Sequence, residues 1–344
     1  MRQQITIASV GLAVAKIIVL TVFCLSPILP TAAAAQQRDP SPMTRAQFDA
    51  LFARIDNAGR WGTDDSRGTL NLVSADVRRA AAAEVRDGNS ISLARQVMPG
   101  DVPGAFEPGV MNFIIASDSI LGPSDGSVIW TVERIGFVFH GWSVTHIDAL
   151  SHLSYRGRTY NGPAERDTTG MPLRNRVDAM RDGIVARGVL VDLPRLRGVP
   201  FLRPGSVITT EDLEAWERRA GVRLRQGDVL LLRSGRWSPE AVASGVAGSA
   251  GLHPSAAAWL HERGVAAVGD EGGTDLKPSV VNGITSPFHV LALVAMGMPL
   301  LENLDLERLA TEATARSRWS FLFIAAPLDL RGGTGSPVNP LALF

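Results

Sequence analysis

A single mixed α/β domain is the fold class that the sequence predicts, and three observations predict it. Short apolar runs, RGVLVDL at 187–193 and DVLLLR at 228–233, end at turn residues and suit buried strands. Segments with capping residues and helix-forming composition, such as 74–87 and 210–220, indicate helices around them. The chain shows neither an internal repeat nor a clear linker, so we expect one domain whose mostly buried sheet is flanked by helices.

The other elements follow from the same signals, read from the N-terminus. Helices are predicted at 44–55, 74–87, 210–220, 254–263 and 289–295. Strands are predicted at 90–95, within 128–140, and at 187–193, 228–233, 265–268 and 300–304. Segment 100–126 is rich in Gly, Pro, Ser and Asp, which predicts a long loop or lid, and the tail 328–344 is predicted to be coil.

The first 35 residues have the composition of a secretory signal peptide. Arg2 and Lys16 are their only charges, an interrupted apolar run follows at 17–29, and four alanines close the segment. This run is too short to span a bilayer comfortably, so we predict cleavage after Ala35 rather than a retained anchor. The mature protein is then expected to be exported, periplasmic or secreted, without stable membrane association.

Charge and cysteine content restrict the classes of function. The formal net charge is zero, and the chain has no basic stripe of the kind that nucleic-acid binding requires. Cys24 is the only cysteine and would leave with the signal peptide, so any metal must be held by His, Asp and Glu. We expect a signal peptide at 1–35, a leader and short helix at 36–59, and one domain at 60–344 that acts on a small molecule.

Three of the six histidines fall in the string FHGWSVTHIDALSHL. His146 and Asp148 are two residues apart, so on a strand both side chains would point the same way. His152 lies four residues further and reaches the same place if the strand turns there. Imidazole and carboxylate groups without thiolate suit Zn²⁺, Mn²⁺ or Fe²⁺. The pattern is short, and the alternative is a group of hydrogen-bonded core histidines.

The string T-H-x-D-x-x-x-H resembles the signature H-x-G-T-H-x-D-x-P-x-H of the cyclase family, which includes bacterial kynurenine formamidases and isatin hydrolases. The match falls on Thr145, His146, Asp148 and His152. Further segments resemble the longer branch of this family, at 60–73, 155–162, 227–235, 289–310 and 333–340. The resemblance implies a barrel-like mixed sheet of the swivelling β/β/α type, and a homo-oligomer, most simply a dimer.

The same resemblance implies roles for individual residues. The family's metal ligands carry over to His146 and Asp148, with His289 and Glu302 as the later pair of two-metal members. The last histidine of the motif acts as catalytic acid and base, and it falls on His152. The implied cofactor is one or two divalent ions, Zn²⁺ or Mn²⁺.

The chain departs from the family pattern at the first ligand, which falls on Trp142. Because an indole cannot donate a lone pair to a metal, another group must replace it or the ligand number must be lower. His140 lies on the same strand face by parity and could take the place; alternatively, one ion is held through His146, Asp148 and later residues. Trp142 and Phe288 could form an aromatic substrate wall, or could simply be packing residues.

The function implied is metal-dependent hydrolysis of an arylformamide, a cyclic amide or a lactone, with metal-activated water and His152 as general acid and base. Asp270 and Glu271 follow a predicted strand and could also line the site. A serine hydrolase is a second hypothesis, because GWSVT at 141–145 nearly matches G-x-S-x-G. The missing first histidine motivates a third: an exported metal-binding or ligand-binding protein of the same fold without catalysis.

Overall fold

The structure, a computed structural model, describes residues 41–97, 111–116, 131–245 and 248–344. The predicted signal peptide and most of the leader lie outside these residues, so their boundaries stay predictions, as does the homo-oligomer. Within the described ranges no helix has the length and apolarity that crossing a bilayer requires.

The strands, in chain order, are β1 (Ser90–Ser92), β2 (Met111–Ala116), β3 (Thr131–Gly136), β4 (His146–Asp148), β5 (Arg158–Thr159), β6 (Gly162–Pro163), β7 (Ile184–Asp192), β8 (Val207–Ile208), β9 (Val229–Arg233), β10 (Gly251–Leu252), β11 (Ala267–Asp270), β12 (Leu300–Glu302), β13 (Ser320–Ala325), β14 (Gly335–Pro337) and β15 (Leu341–Leu343). The α-helices are α1 (Arg45–Ile55), α2 (Ala75–Ala82), α3 (Leu193–Arg197), α4 (Thr210–Ala220), α5 (Pro239–Ser244), α6 (Ala256–Arg263), α7 (Pro287–His289) and α8 (Glu307–Arg316). Two 3₁₀ helices (Gly68–Leu72 and Val177–Met180) and a π-helix (Val290–Met296) complete the described elements.

Nine strands form one sheet in the order β1-β15-β13-β7-β9-β11-β12-β4-β14. Four neighbouring strands at the centre of this sheet, β7, β9, β11 and β12, are parallel to one another. The other neighbouring pairs of the same sheet are antiparallel. The sheet curls into a half-barrel with helices around it, which confirms the predicted mixed α/β domain with a barrel-like core. The central strands contain runs of buried apolar residues, such as 189–191 in β7 and 229–232 in β9, because both of their faces are covered.

Local sequence explains where the helices begin. Thr44 forms a capping box with Gln47 at the start of α1, and Thr209 forms one with Asp212 at the start of α4. Helix α4 then docks on the sheet through Trp216, whose indole N–H donates to the carbonyl of Leu190 in β7 at 2.8 Å.

Several sequence predictions need correction. Residues 111–116 lie in the segment predicted as a loop, yet they form β2 and pair with β3 because MNFIIA is apolar enough for a strand; the rest of that segment lies outside the described residues. The tail predicted as coil contains β14 and β15. Strand β13 was not predicted at all. Strands β14 and β15 have three residues each, so they carry almost no periodic signal, and only their sheet partners stabilise them.

Gly68 has φ +56°, and a Cβ built there would lie 1.9 Å from the carbonyl oxygen of Gly297. Gly68→Ala should therefore lower the free energy of unfolding by about 1–3 kcal/mol for the clash, in addition to about 1–2 kcal/mol for the left-handed backbone. Gly221→Ala is the matched control, because Gly221 has φ +64° and nothing lies within 4 Å of its Cβ. The free energy of unfolding of both variants is measured by urea unfolding. Equal losses of this free energy would show that the carbonyl group of Gly297 does not exclude a side chain at position 68.

Candidate metal centre

Strand β4 places the central residues of the site. His146 and Asp148 alternate with Ile147, so both point to one face of the sheet. Glu302 of β12 is the direct cross-strand partner of His146, which brings a second carboxylate to the same face. All three are buried. The register of two short antiparallel strands therefore brings together residues that are more than 150 positions apart.

The tautomer of His146 follows from its hydrogen bond. Its Nδ1 lies 2.8 Å from the carbonyl oxygen of Val144, which can only accept, so Nδ1 carries the proton. In the neutral ring, Nε2 therefore presents the lone pair. It lies 3.5 Å from Oδ1 of Asp148 and 3.9 Å from Oε2 of Glu302.

His289 enters the cluster from α7, on another side. Its Nε2 lies 3.1 Å from Oε1 of Glu302 and 3.6 Å from Oδ2 of Asp148. Its Nδ1 lies 2.5 Å from Oδ2 of Asp275. Glu302 is held in turn by the backbone N–H of Thr274, which donates to Oε1 at 3.1 Å.

His140 and His152 complete the cluster from loops on either side of β4. The Nε2 atom of His140 lies 3.3 Å from Oδ1 of Asp148, and that of His152 lies 4.0 Å from Oδ2. Their rings stack with centroids 4.0 Å apart. Gly335 of β14 permits this approach, because a Cβ there would lie 2.6 Å from Nε2 of His140. Asp148 thus lies among four imidazoles.

The electrostatics of the cluster follow from burial and from this proximity. Burial opposes ionisation of Asp148, but His152, His140, His289 and His146 hold the pKa of Asp148 well below its usual range. Burial alone would lower the pKa of His289, but the carboxylates of Glu302, Asp148 and Asp275 raise it well above its usual range. Burial lowers the pKa of His152, which favours the neutral imidazole.

The residues fit a divalent ion. Asp148 is 1% exposed, yet neither of its carboxylate oxygens has a hydrogen-bond partner of acceptable geometry. Ligand atoms about 2.1 Å from one ion lie about 3–4 Å apart, which is the spacing found here. Among the described residues, two triads have potential ligand atoms that all lie within 4.8 Å of one another: His146, Asp148 and Glu302, and His140, Asp148 and His152. The second triad shows that the position of His152 also suits a ligand.

A cavity of about 490 Å³ opens onto the cluster. Other cavities have similar volumes, from 460 to 550 Å³, so the histidines and acids rather than the size distinguish this one. Trp142 lines it, and Arg236 lies over the Trp142 ring with its Cζ 5.5 Å from the centroid. Phe288 is fully buried and is not among the lining residues, which favours the packing alternative over a place in an aromatic substrate wall. It packs in the core at the start of α7 instead.

Several other candidate residues lie apart from the cavity. Glu271 accepts hydrogen bonds from the backbone N–H groups of Ser234 and Gly235, and Asp270 accepts one from Gly272. Neither acid lines the cavity. The Oγ of Ser143 is buried without a hydrogen-bond partner among the described residues, so the base that a serine nucleophile needs is missing there.

The two remaining histidines bond to residues outside the cluster. His253 bonds to the Oγ of Ser255 and to the carbonyl oxygen of Ser41. His261, in the last turn of α6, bonds to the side chain of Asn57.

Comparison with known proteins identifies the family. The Cyclase family model matches residues 68–275, which is more than half of the chain. The chain belongs to the cyclase family. Among curated proteins, none is similar enough in sequence to match.

Solved structures agree with this assignment. The chain is similar to a crystal structure described as a novel cyclase, at 28% identity and a TM-score of 0.72, over 85% of this chain and 99% of the other. It is also similar to isatin hydrolase A from Ralstonia solanacearum, at 25% identity and a TM-score of 0.53, over 76% and 93% of the two chains. Isatin hydrolase A from Labrenzia aggregata, bound to benzyl benzoate, shares the fold at 24% identity and a TM-score of 0.54, over 76% and 94%.

Sequence reasoning missed three polar residues of this site: Asp275 behind His289, and Lys277 and Ser286 in the cavity wall. Asp275 stands 14 positions before the histidine that it contacts, in a stretch without helical or strand periodicity. An acid two residues after a glycine pair, in GGTDL, was the only signal, and it is too weak to assign a contact.

The protein should contain a tightly held divalent ion that depends on His146. Elemental analysis of the mature protein should find stoichiometric Zn or Mn in the wild type, none in His146→Ala, and less in His140→Ala, because each variant removes an imidazole beside Asp148. His253→Ala is the control and should keep the metal. Metal that persists in His140→Ala would remove His140 from the ligand set, and a wild type that stays metal-free after resupply would overturn the centre.

Proposed function

We propose that the chain is a metal-dependent hydrolase that cleaves a carbonyl C–N or C–O bond. The observation that carries this proposal is Asp148, a buried carboxylate without hydrogen-bond partners at the centre of four imidazoles and one further acid. Membership of the cyclase family and likeness to isatin hydrolases support the reaction type.

The ligands proposed for one or two ions are His140, His146, Asp148, His289 and Glu302. Their nitrogen and oxygen donors suit Zn²⁺ or Mn²⁺. Such an ion, when bound, lowers the pKa of water and polarises a carbonyl oxygen. His140 then takes the place that the family pattern gives to a histidine at 142, because its Nε2 lies against Asp148 whereas Trp142 faces the cavity.

His152 is proposed as the general acid and base. Its side chain is 29% exposed and lines the cavity, whereas those of His146 and Asp148 are almost fully enclosed. Neutral His152 can take a proton from water as the new C–O bond forms. It can then deliver that proton to the leaving nitrogen or oxygen as the old bond breaks, which leaves a carboxylic acid and an amine or alcohol.

The cavity indicates a small and largely apolar substrate. Its volume of about 490 Å³ suits a molecule of one or two rings, and the face of Trp142 offers a flat wall for stacking. Arylformamides, cyclic amides and lactones therefore form the proposed substrate class.

His152→Ala should lower kcat by about 10²–10⁴-fold on such substrates while the metal content stays at the wild-type level. Turnover is measured across a panel of arylformamides, cyclic amides and lactones, with metal content determined on the same samples. His261→Ala is the control, because His261 is a partly buried histidine outside the cluster. Loss of metal in His152→Ala would make His152 a ligand and not the acid and base. A metal-loaded wild type that hydrolyses nothing in the panel would favour the binding protein without catalysis.

We also propose that the protein is exported, on the support of the charge and apolar pattern of residues 1–35. The intact mass of protein from the periplasm or medium should correspond to a chain that begins at Gln36. Replacing Ala33 with Lys should block processing, because the cleavage site requires small residues. A mature protein that retains residues 1–35 would contradict cleavage.

A further inference from the structure

Asp275 is a carboxylate next to the cluster to which the family resemblance gives no role. It is 2% exposed, and the segment that carries His289 engages both of its oxygens. Oδ1 accepts from the backbone N–H of Phe288 at 2.7 Å, and Oδ2 accepts from that of His289 at 3.3 Å. Oδ2 also lies 2.5 Å from Nδ1 of His289. One side chain thus holds both the backbone and the ring of His289.

The backbone of Asp275 is itself fixed. Asp275 forms a parallel bridge with Leu252 of β10. Gly251 lies so close that a Cβ there would be 2.4 Å from the carbonyl carbon of Asp275. Asp275 therefore links β10 to the start of α7, and its position determines where α7 aims His289.

The contact with Nδ1 determines which nitrogen of His289 is available. An ionised carboxylate can only accept, so Nδ1 donates its proton to Asp275. When the ring carries one proton, Asp275 holds it on Nδ1 and leaves a lone pair on Nε2. Without Asp275, the proton could move to Nε2 and be donated to Glu302, whose Oε1 is only 3.1 Å away. That hydrogen bond would occupy two of the proposed ligands at once.

We propose that Asp275 is a positioning residue of the metal centre: it selects the Nδ1–H tautomer of His289 and aims its Nε2 at Glu302 and Asp148. This inference rests on the proposed function, because it assumes that His289 and Glu302 bind an ion. A residue that only caps a helix would affect stability, whereas a positioning residue would also affect metal binding, and the two effects can be measured separately.

Asp275→Asn is the variant to test, because the amide keeps the volume and one acceptor but removes the charge. We expect metal affinity, measured by competition with a chelator, to fall by about 10–100-fold. The visible absorption spectrum of the Co²⁺-loaded variant should differ from that of the wild type, because the His289 ligand is misplaced. The melting temperature of the chelator-treated protein separately measures the stability lost when Asp275 no longer caps the start of α7.

Asp192→Asn is the matched control. Asp192 is also a buried carboxylate that caps a helix, since it accepts from the backbone N–H of Arg195 at the start of α3, and it does not line the cavity. This variant should lower the melting temperature and leave metal affinity and the Co²⁺ spectrum unchanged.

An Asp275→Asn protein that loses stability as Asp192→Asn does, yet keeps wild-type metal affinity and the wild-type Co²⁺ spectrum, would overturn the proposal and leave Asp275 as a helix cap. If Asp275→Asn does not fold, Asp275→Glu provides the comparison, because it keeps the charge but changes the reach of the carboxylate. We expect Asp275→Glu to bind metal more weakly and to change the Co²⁺ spectrum. Wild-type metal affinity together with a wild-type Co²⁺ spectrum would contradict the positioning role. Failure of the proposed function looks different: a metal-loaded wild type that hydrolyses nothing would contradict the hydrolase, and a wild type that binds no metal would contradict the metal centre itself, whereas neither result singles out the Asp275 variants.

Discussion

The burial of Asp148 is the constraint on which the site depends. Moving a carboxylate out of water costs several kcal/mol even after relaxation, and the cost is offset only where cations or hydrogen-bond donors surround it. Backbone donors are absent from its two oxygens among the described residues, and imidazoles surround it instead. Strand β4 keeps it there, because β12 and β14 pair with both edges of that three-residue strand.

Two glycines near Asp148 leave space for bulky side chains of the site. Gly335 leaves room for His140, and Gly273 leaves room for the ring of Trp142, which a Cβ at that position would approach to 3.2 Å. Asn303 joins the same arrangement by donating to the carbonyl oxygens of Gly141 and Val144. The loop before β4 is therefore held against the strand that carries Glu302, so the two parts of the cluster keep their spacing.

Trp142 shows how one substitution can alter a site without removing it. The indole provides no lone pair for a metal, but its ring faces the cavity, and the Arg236 guanidinium lies over the ring. Arg236 also lies over Trp237, whose ring contacts Arg95 in turn. This alternation of cations and rings supports Trp142 as a rigid wall, while the imidazole of His140 supplies a nitrogen beside Asp148.

The sequence by itself determined the fold class, the long central strands and the group His146, Asp148 and His152, because apolar runs and the alternation of side chains along a strand are local properties. Resemblance to a family added His289 and Glu302. Tertiary structure decided the rest: that β14 and β15 are strands, that Phe288 is buried away from the cavity, that His140 reaches Asp148, and that Asp275 holds His289. Each of these depends on how strands, loops and helices pack against one another, and such tertiary contacts leave no periodic signal in the chain.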